Sequence, residues 1–164
     1  MKKVLEYLGK RYDEEQNRFK NFEDKSARLL SFLSLLVGAI VALGGVRGGF
    51  ILNPSDFPSW LALVAYLASG ICVFCSWGHT MLALRVVDCP ILPKSRIALE
   101  YLSAIDEEEQ DKYIYNCYVD TLDVLAGVID EKAKNLELAY QELAIGAWLL
   151  AASLVYFAVL EIVK

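Results

Sequence analysis

Polar and apolar positions along this chain separate into long blocks. No Asp, Glu, Lys or Arg occurs at residues 29–46, 57–84 or 143–160. At about 1.5 Å per helical residue, each stretch is long enough to cross the hydrocarbon core of a bilayer. The polar blocks keep a helical rhythm. In residues 3–28, Val4, Leu8, Tyr12, Phe19 and Phe22 recur near one face at three-to-four-residue steps. Glu6 and Lys10, Glu14 and Arg18, and Asp24 and Arg28 stand at the i,i+4 spacing that supports a helix. Neither Pro nor Gly separates Tyr12 from Val37, so the pattern predicts one helix running from the polar block into the first apolar stretch. Gly44, Gly45, Gly48 and Gly49 mark its end, and Asn53, Pro54 and Pro58 predict a turn before Trp60, an expected interfacial anchor.

Cys89, Pro90 and Pro93 end the second apolar helix. Ser95 then stands where it can cap a short helix reaching about Ile105, with Ile97, Tyr101 and Ile105 on one side. Asp106 and Glu109 have capping-box spacing, and the acidic run they bound suits the positive end of a helix. From there to Val163 no proline occurs, and Tyr118, Leu122, Leu125, Ile129, Lys132, Leu136, Ala139 and Leu143 form a heptad seam with one basic interruption. The expectation is a long helix whose polar part packs against residues 3–28 and whose last third crosses the membrane. The predicted fold is all-α: a polytopic membrane protein with transmembrane helices at 29–46, 57–84 and 143–163. A cytoplasmic stem is expected from the amphipathic helix 1–28 and the helical region 85–142.

Charge orients this arrangement. Lys10, Arg11, Arg18, Lys20, Lys25 and Arg28 precede the first apolar stretch closely, and Arg47 alone follows it. Basic residues stay on the cytoplasmic side, which predicts a cytoplasmic N-terminus and an external C-terminus. The long polar stretch before the first span is unlike the short basic prefix of a signal peptide, so that span is expected to persist. Residues 1–28 and 85–142 carry 14 basic and 19 acidic side chains, which equals the whole-chain net charge of −5. Such an acidic body argues against nucleic acid, whose binding draws on Lys and Arg. At 164 residues, 56% hydrophobic and 23% charged, the chain is one domain by length, and a disordered chain, a disulfide scaffold and a soluble α/β enzyme are excluded.

The second apolar stretch carries the most informative pattern. Ala62, Ala65, Ser69, Cys72, Ser76, His79 and Ala83 follow one another at alternating steps of three and four, and all are small except His79. Membrane helices gain little by hiding Leu from lipid and associate where small residues let backbones approach. Weaker counterparts are Ser34, Gly38, Ala42 and Gly45 in the first stretch, and Ala144, Ala147, Ala151 and Ala158 in the third. Such faces serve either packing within one chain or self-association into a homo-oligomer, with one face lining a pore. His79 is the only histidine; a hydrogen bond to Ser76 or a neighbouring hydroxyl is one reading, gating or proton sensing the other. Cys72 and Cys75 are expected as small packing residues, and Cys89 and Cys117 as reduced thiols. With no phosphate loop and no paired metal ligands, neither enzymatic chemistry, a metal nor a cofactor is expected.

The entry into the first span, Asp24-Lys25-Ser26-Ala27-Arg28-Leu29-Leu30, resembles that of small membrane effectors of bacterial anti-phage systems, the SLATT effectors and the transmembrane effectors of Pycsar systems. The stretch Val128-Ile129-Asp130-Glu131-Lys132-Ala133-Lys134-Asn135-Leu136, ahead of a terminal apolar helix, is similar to the Lys-and-Leu signature of the same proteins. The resemblance implies abortive defence: a nucleotide-producing partner signals infection, and the effector oligomerises or opens in the bacterial inner membrane and disrupts or depolarises it. A cyclic nucleotide would need cations, and Arg85, Lys94, Arg96, Lys132 and Lys134 are the candidates; their other reading is as membrane-end anchors and helix-surface charges. A protein trigger fits equally. The alternative is a non-gated scaffold or accessory subunit that docks a cytoplasmic partner.

Overall fold

A computed structural model describes residues 1–46, 54, 56–85, 92 and 95–163. The all-α class holds: among the described residues there are four helices, α1 (Lys2–Val46), α2 (Phe57–Ala83), α3 (Arg96–Ala104) and α4 (Glu107–Val163), and no strand. Gly48, Gly49, Asn53, Cys89, Pro90, Pro93 and Lys94 lie outside the described residues. Three helices, α1, α2 and α4, are long and apolar enough to cross a membrane. Without an internal proline, α1 continues for 45 residues and α4 for 57. Pro58 sits in the first turn of α2, where its missing N–H costs no hydrogen bond.

The helices divide into two compact units, one of Met1–Asp24 with Arg85–Ala133, the other of Lys25–Leu84 with Lys134–Lys164. Both long helices contribute to each unit. The first unit is the polar one, and in it α1 and α4 run in the same direction: Lys2 Nζ meets Glu107 Oε1 at 3.1 Å, and Tyr12 meets Tyr118 edge-on with ring centres 6.0 Å apart. The Glu107 carboxylate holds the Lys2 ammonium above its ordinary pKa. Phe19, Leu125 and Ile129 form the core, with Tyr12, Phe22 and Val128 packed around them. All of these except Val128 are positions of the two predicted seams, whereas Val4 remains exposed. Leu125 is completely buried, so Leu125→Ala is expected to cost about 2–4 kcal/mol through lost burial and the cavity left behind. Loss of helical circular dichroism on heating the detergent-solubilised chain measures this.

The same face of α1 carries Glu15, which is buried. Its carboxylate receives Arg11 Nη2 at 2.8 Å and Arg18 Nη1 at 3.2 Å. The expected pair of Glu14 with Arg18 is thereby replaced, and Glu14 pairs with Arg11 at 3.0 Å. A carboxylate deprived of water requires charged donors more than an exposed one does, so Glu15 takes the arginine.

Both predicted caps form. Ser95 Oγ accepts the Ala98 N–H at 3.2 Å, and Asp106 Oδ1 accepts the Glu109 N–H at 2.9 Å. The inward face of α3 differs from the expected one. Ile97 and Tyr101 are exposed, and Ala98 and Leu102 are the half-buried positions.

In the apolar unit α2 runs antiparallel to both long helices. Trp77 Nε1 donates to Ser34 Oγ at 3.2 Å and the Tyr66 hydroxyl donates to the Ile40 carbonyl. Toward α4, Ser76 meets Ala139, and Tyr66 shares a core with Phe157.

Candidate functional site

The buried stripe of α2 is Ala62, Tyr66, Ser69, Val73, Ser76, Thr80 and Ala83, joined by Leu63. Four predicted seam residues lie on it: Ala62, Ser69, Ser76 and Ala83. Ala65, Cys72 and His79 stand half-buried at its edge. Tyr66, Val73 and Thr80 take the deep positions instead. The reason is on α4, where Gly146 faces α2. A Cβ added there would meet Cys72 Cβ at 3.1 Å, Val73 Cγ2 at 3.1 Å and the Ser69 carbonyl oxygen at 3.3 Å. A bulky valine thus seats against a partner with no side chain, and the close approach expected from small residues on α2 is supplied by α4.

The weaker small-residue stripes stay exposed, although Ser34 Oγ accepts the Trp77 N–H from α2. Ser34, Gly38, Ala42 and Gly45 are exposed, as are Ala144, Ala147, Ala151 and Ala158. The buried positions are Ser26, Leu29 and Leu33 on α1 and Gly146, Ser153 and Phe157 on α4. These continue the seams of the polar unit at the same three-and-four spacing. A helix that crosses from polar to apolar composition without a break keeps the face it already presents.

Hydroxyls line the α2 stripe. Ser69 Oγ donates to the Tyr66 carbonyl at 2.7 Å and Thr80 Oγ1 to the Ser76 carbonyl at 2.8 Å. Ser76 Oγ instead crosses to α4 and donates to the Ala139 carbonyl at 2.7 Å. One turn further on, His79 Nε2 lies 3.4 Å from Glu142 Oε1. The expected hydroxyl partner of His79 is therefore replaced by a carboxylate, which stands one residue before the third uncharged stretch. Its position at i+3 from Ala139 places Glu142 beside the seam in the sequence. The other atoms of the pair, His79 Nδ1 and Glu142 Oε2, are buried and have no hydrogen-bond partner. His79→Ala and Glu142→Gln, alone and together, are expected to show a coupling of about 1 kcal/mol in thermal unfolding in detergent, the scale of polar contacts between membrane helices. Strict additivity would deny the contact.

The described candidate cations differ in their settings. Arg85 is exposed, and Arg96 Nε is held by Glu100 Oε1 at 2.8 Å on the exposed surface of α3. Lys134 is exposed and belongs to the apolar unit, and Lys94 lies outside the described residues. Lys132 turns inward at 4% exposure. Its ammonium lies 3.4 Å from Glu23 Oε1, donates to the Arg85 carbonyl at 3.4 Å, and sits 4.8 Å from the centre of the Phe19 ring. It serves the interior of the polar unit. Cys72, Cys75 and Cys117 are free thiols, and Cys72 packs beside Gly146. No group of three metal-ligating side chains occurs among the described residues.

No family model matches the chain, and neither the curated proteins nor the solved structures contain a match to it.

Proposed function

We propose that this chain is an effector of the bacterial inner membrane, with a cytoplasmic N-terminus and an external C-terminus, that self-associates on a cytoplasmic signal and depolarises the membrane in abortive anti-phage defence. The polar pair between α2 and α4 carries this reading. In a helix pair bordered by uncharged stretches, His79 and Glu142 leave two buried polar atoms unsatisfied, which a purely structural contact would be expected to avoid. An arrangement in which those atoms gain partners would be favoured once reached, and the two resting contacts, His79 with Glu142 and Ser76 with Ala139, are those it must break. Both long helices belong to both units, so a signal received by the polar unit has a continuous backbone route into the apolar one. Three helices are too few to enclose a sizeable aqueous path, so conduction requires several copies.

Induction of the wild-type chain together with its native trigger is expected to collapse the membrane potential, read with a potential-sensitive dye. Ser76→Leu, which removes the donor to Ala139 and forces a larger side chain into a fully buried position, is expected to abolish the collapse at equal protein level. An unchanged potential under every trigger encoded beside the gene would sink the proposal and leave the non-gated scaffold.

A further inference from the structure

Within the polar unit, α3, the first turns of α4 and Leu92 line a half-open pocket of about 160 Å³. Ala98 and Leu102 form one wall and Tyr113, Ile114 and Cys117 the other. Two of its surfaces are aromatic rings, each braced by another ring. Tyr113 packs against Tyr101 with ring centres 5.4 Å apart. Tyr118, which also lines the cavity, is set edge-on against Tyr12 and has its hydroxyl close to Gly9, where an added Cβ would stand 3.4 Å away. The walls are therefore positioned independently of anything inside.

Size, polarity and charge narrow the occupant. An apolar cavity of about 150 Å³ holds one benzene-sized ring, whereas sites for drug-sized ligands begin at about 300 Å³. Tyr113 brings a hydroxyl to the lining, next to the Cys117 thiol. The neighbouring Cys117 pushes the Tyr113 phenol above its ordinary pKa. The surrounding charge repels anions: residues 85–133 carry five basic and eleven acidic side chains, and Glu107, Glu108 and Glu109 open α4.

We propose that this cavity binds one neutral, single-ring aromatic molecule carrying a hydroxyl group, with the ring between α3 and α4 and the hydroxyl at Tyr113. This site is independent of the membrane activity proposed above. Phenol is the probe, with benzene as the ring lacking the hydroxyl and benzoate as an anion of similar size. The readout is the rate at which a maleimide modifies Cys117 in the full chain in detergent, followed by peptide mass spectrometry so that the other cysteines do not contribute. Saturating phenol is expected to slow modification at least about fivefold, and benzoate at the same concentration to leave it unchanged. Tyr113→Phe should raise the half-protecting phenol concentration by about five- to tenfold, the worth of one hydrogen bond, without altering that for benzene. Ala98→Trp, which fills the cavity, should eliminate protection; Leu102→Phe is the milder filling should the tryptophan reduce helical content. Absence of protection by both phenol and benzene, equal protection by benzoate, or full protection in a folded cavity-filled variant would each overturn the assignment.

Discussion

Gly146→Leu is expected to be the most damaging single change in the apolar unit, costing about 3 kcal/mol or more. A Cβ alone at this position would stand 3.1 Å from Cys72 Cβ and 3.1 Å from Val73 Cγ2, closer than carbon atoms pack comfortably. The remaining carbons of a leucine would have to displace α2. Adding methylenes to a filled core commonly costs about 1–3 kcal/mol, and here the nearest atoms include the Ser69 carbonyl oxygen at 3.3 Å, which moves only with its helix. Displacement would also break the Ser76 bond to Ala139, two turns away on the same crossing. Gly146→Ala should be far milder, because the gain of about 1 kcal/mol from replacing a helical glycine offsets part of the crowding. Gly38→Leu is the control, since nothing lies within 4 Å of a Cβ there. Thermal unfolding of the three variants in one detergent measures the ordering. A Gly146→Leu chain as stable as Gly38→Leu would mean that α2 and α4 do not cross at this glycine.

Lys132→Glu is expected to be as severe in the polar unit. Native Lys132 is 4% exposed, and electron-rich groups face its ammonium, among them the Glu23 carboxylate, the Arg85 carbonyl and the Phe19 ring. A carboxylate in that place is repelled by these groups and is largely shielded from solvent. Uncompensated buried charges cost about 3–5 kcal/mol. Lys132→Met separates the charge from the packing, because it keeps most of the aliphatic stem. It should cost about 1–2 kcal/mol, since the Glu23 side chain is 42% exposed and can recover hydration. Glu23→Lys placed in the Lys132→Glu chain should restore part of the loss. Equal stability of the methionine and glutamate variants would show that the cation is not enclosed.

Much of this architecture was legible because it depends on local chemistry. Helix ends follow from Ser95 and Asp106 as caps and from the absence of proline in α1 and α4. Leu125, Ile129, Lys132, Leu136 and Ala139 were recognisable as a seam, and all five are buried. Less legible was the fate of individual polar groups. Lys132 reads equally as a surface cation or as a buried one until Phe19 and Glu23 are placed beside it. Glu142 reads as a boundary charge until α2 brings His79 to it. In the apolar stretches the preference for small residues identified the α2 face only in part, since it treats small size as a property of one helix. Close approach belongs to a pair, and at Val73 the small member is Gly146.

The division follows from what each level of structure controls. Residue order alone determined the all-α class, the three helices long enough to cross a membrane, their limits and their charged flanks, because propensity, capping and uncharged length are properties of contiguous residues. Tertiary structure alone decided which face each apolar helix buries, which glycine carries the crossing, that Lys132 turns inward, and that Glu142 meets His79. An apolar helix offers similar hydrophobicity on every side. Only the shape and hydrogen-bonding groups of its neighbour distinguish one face from another.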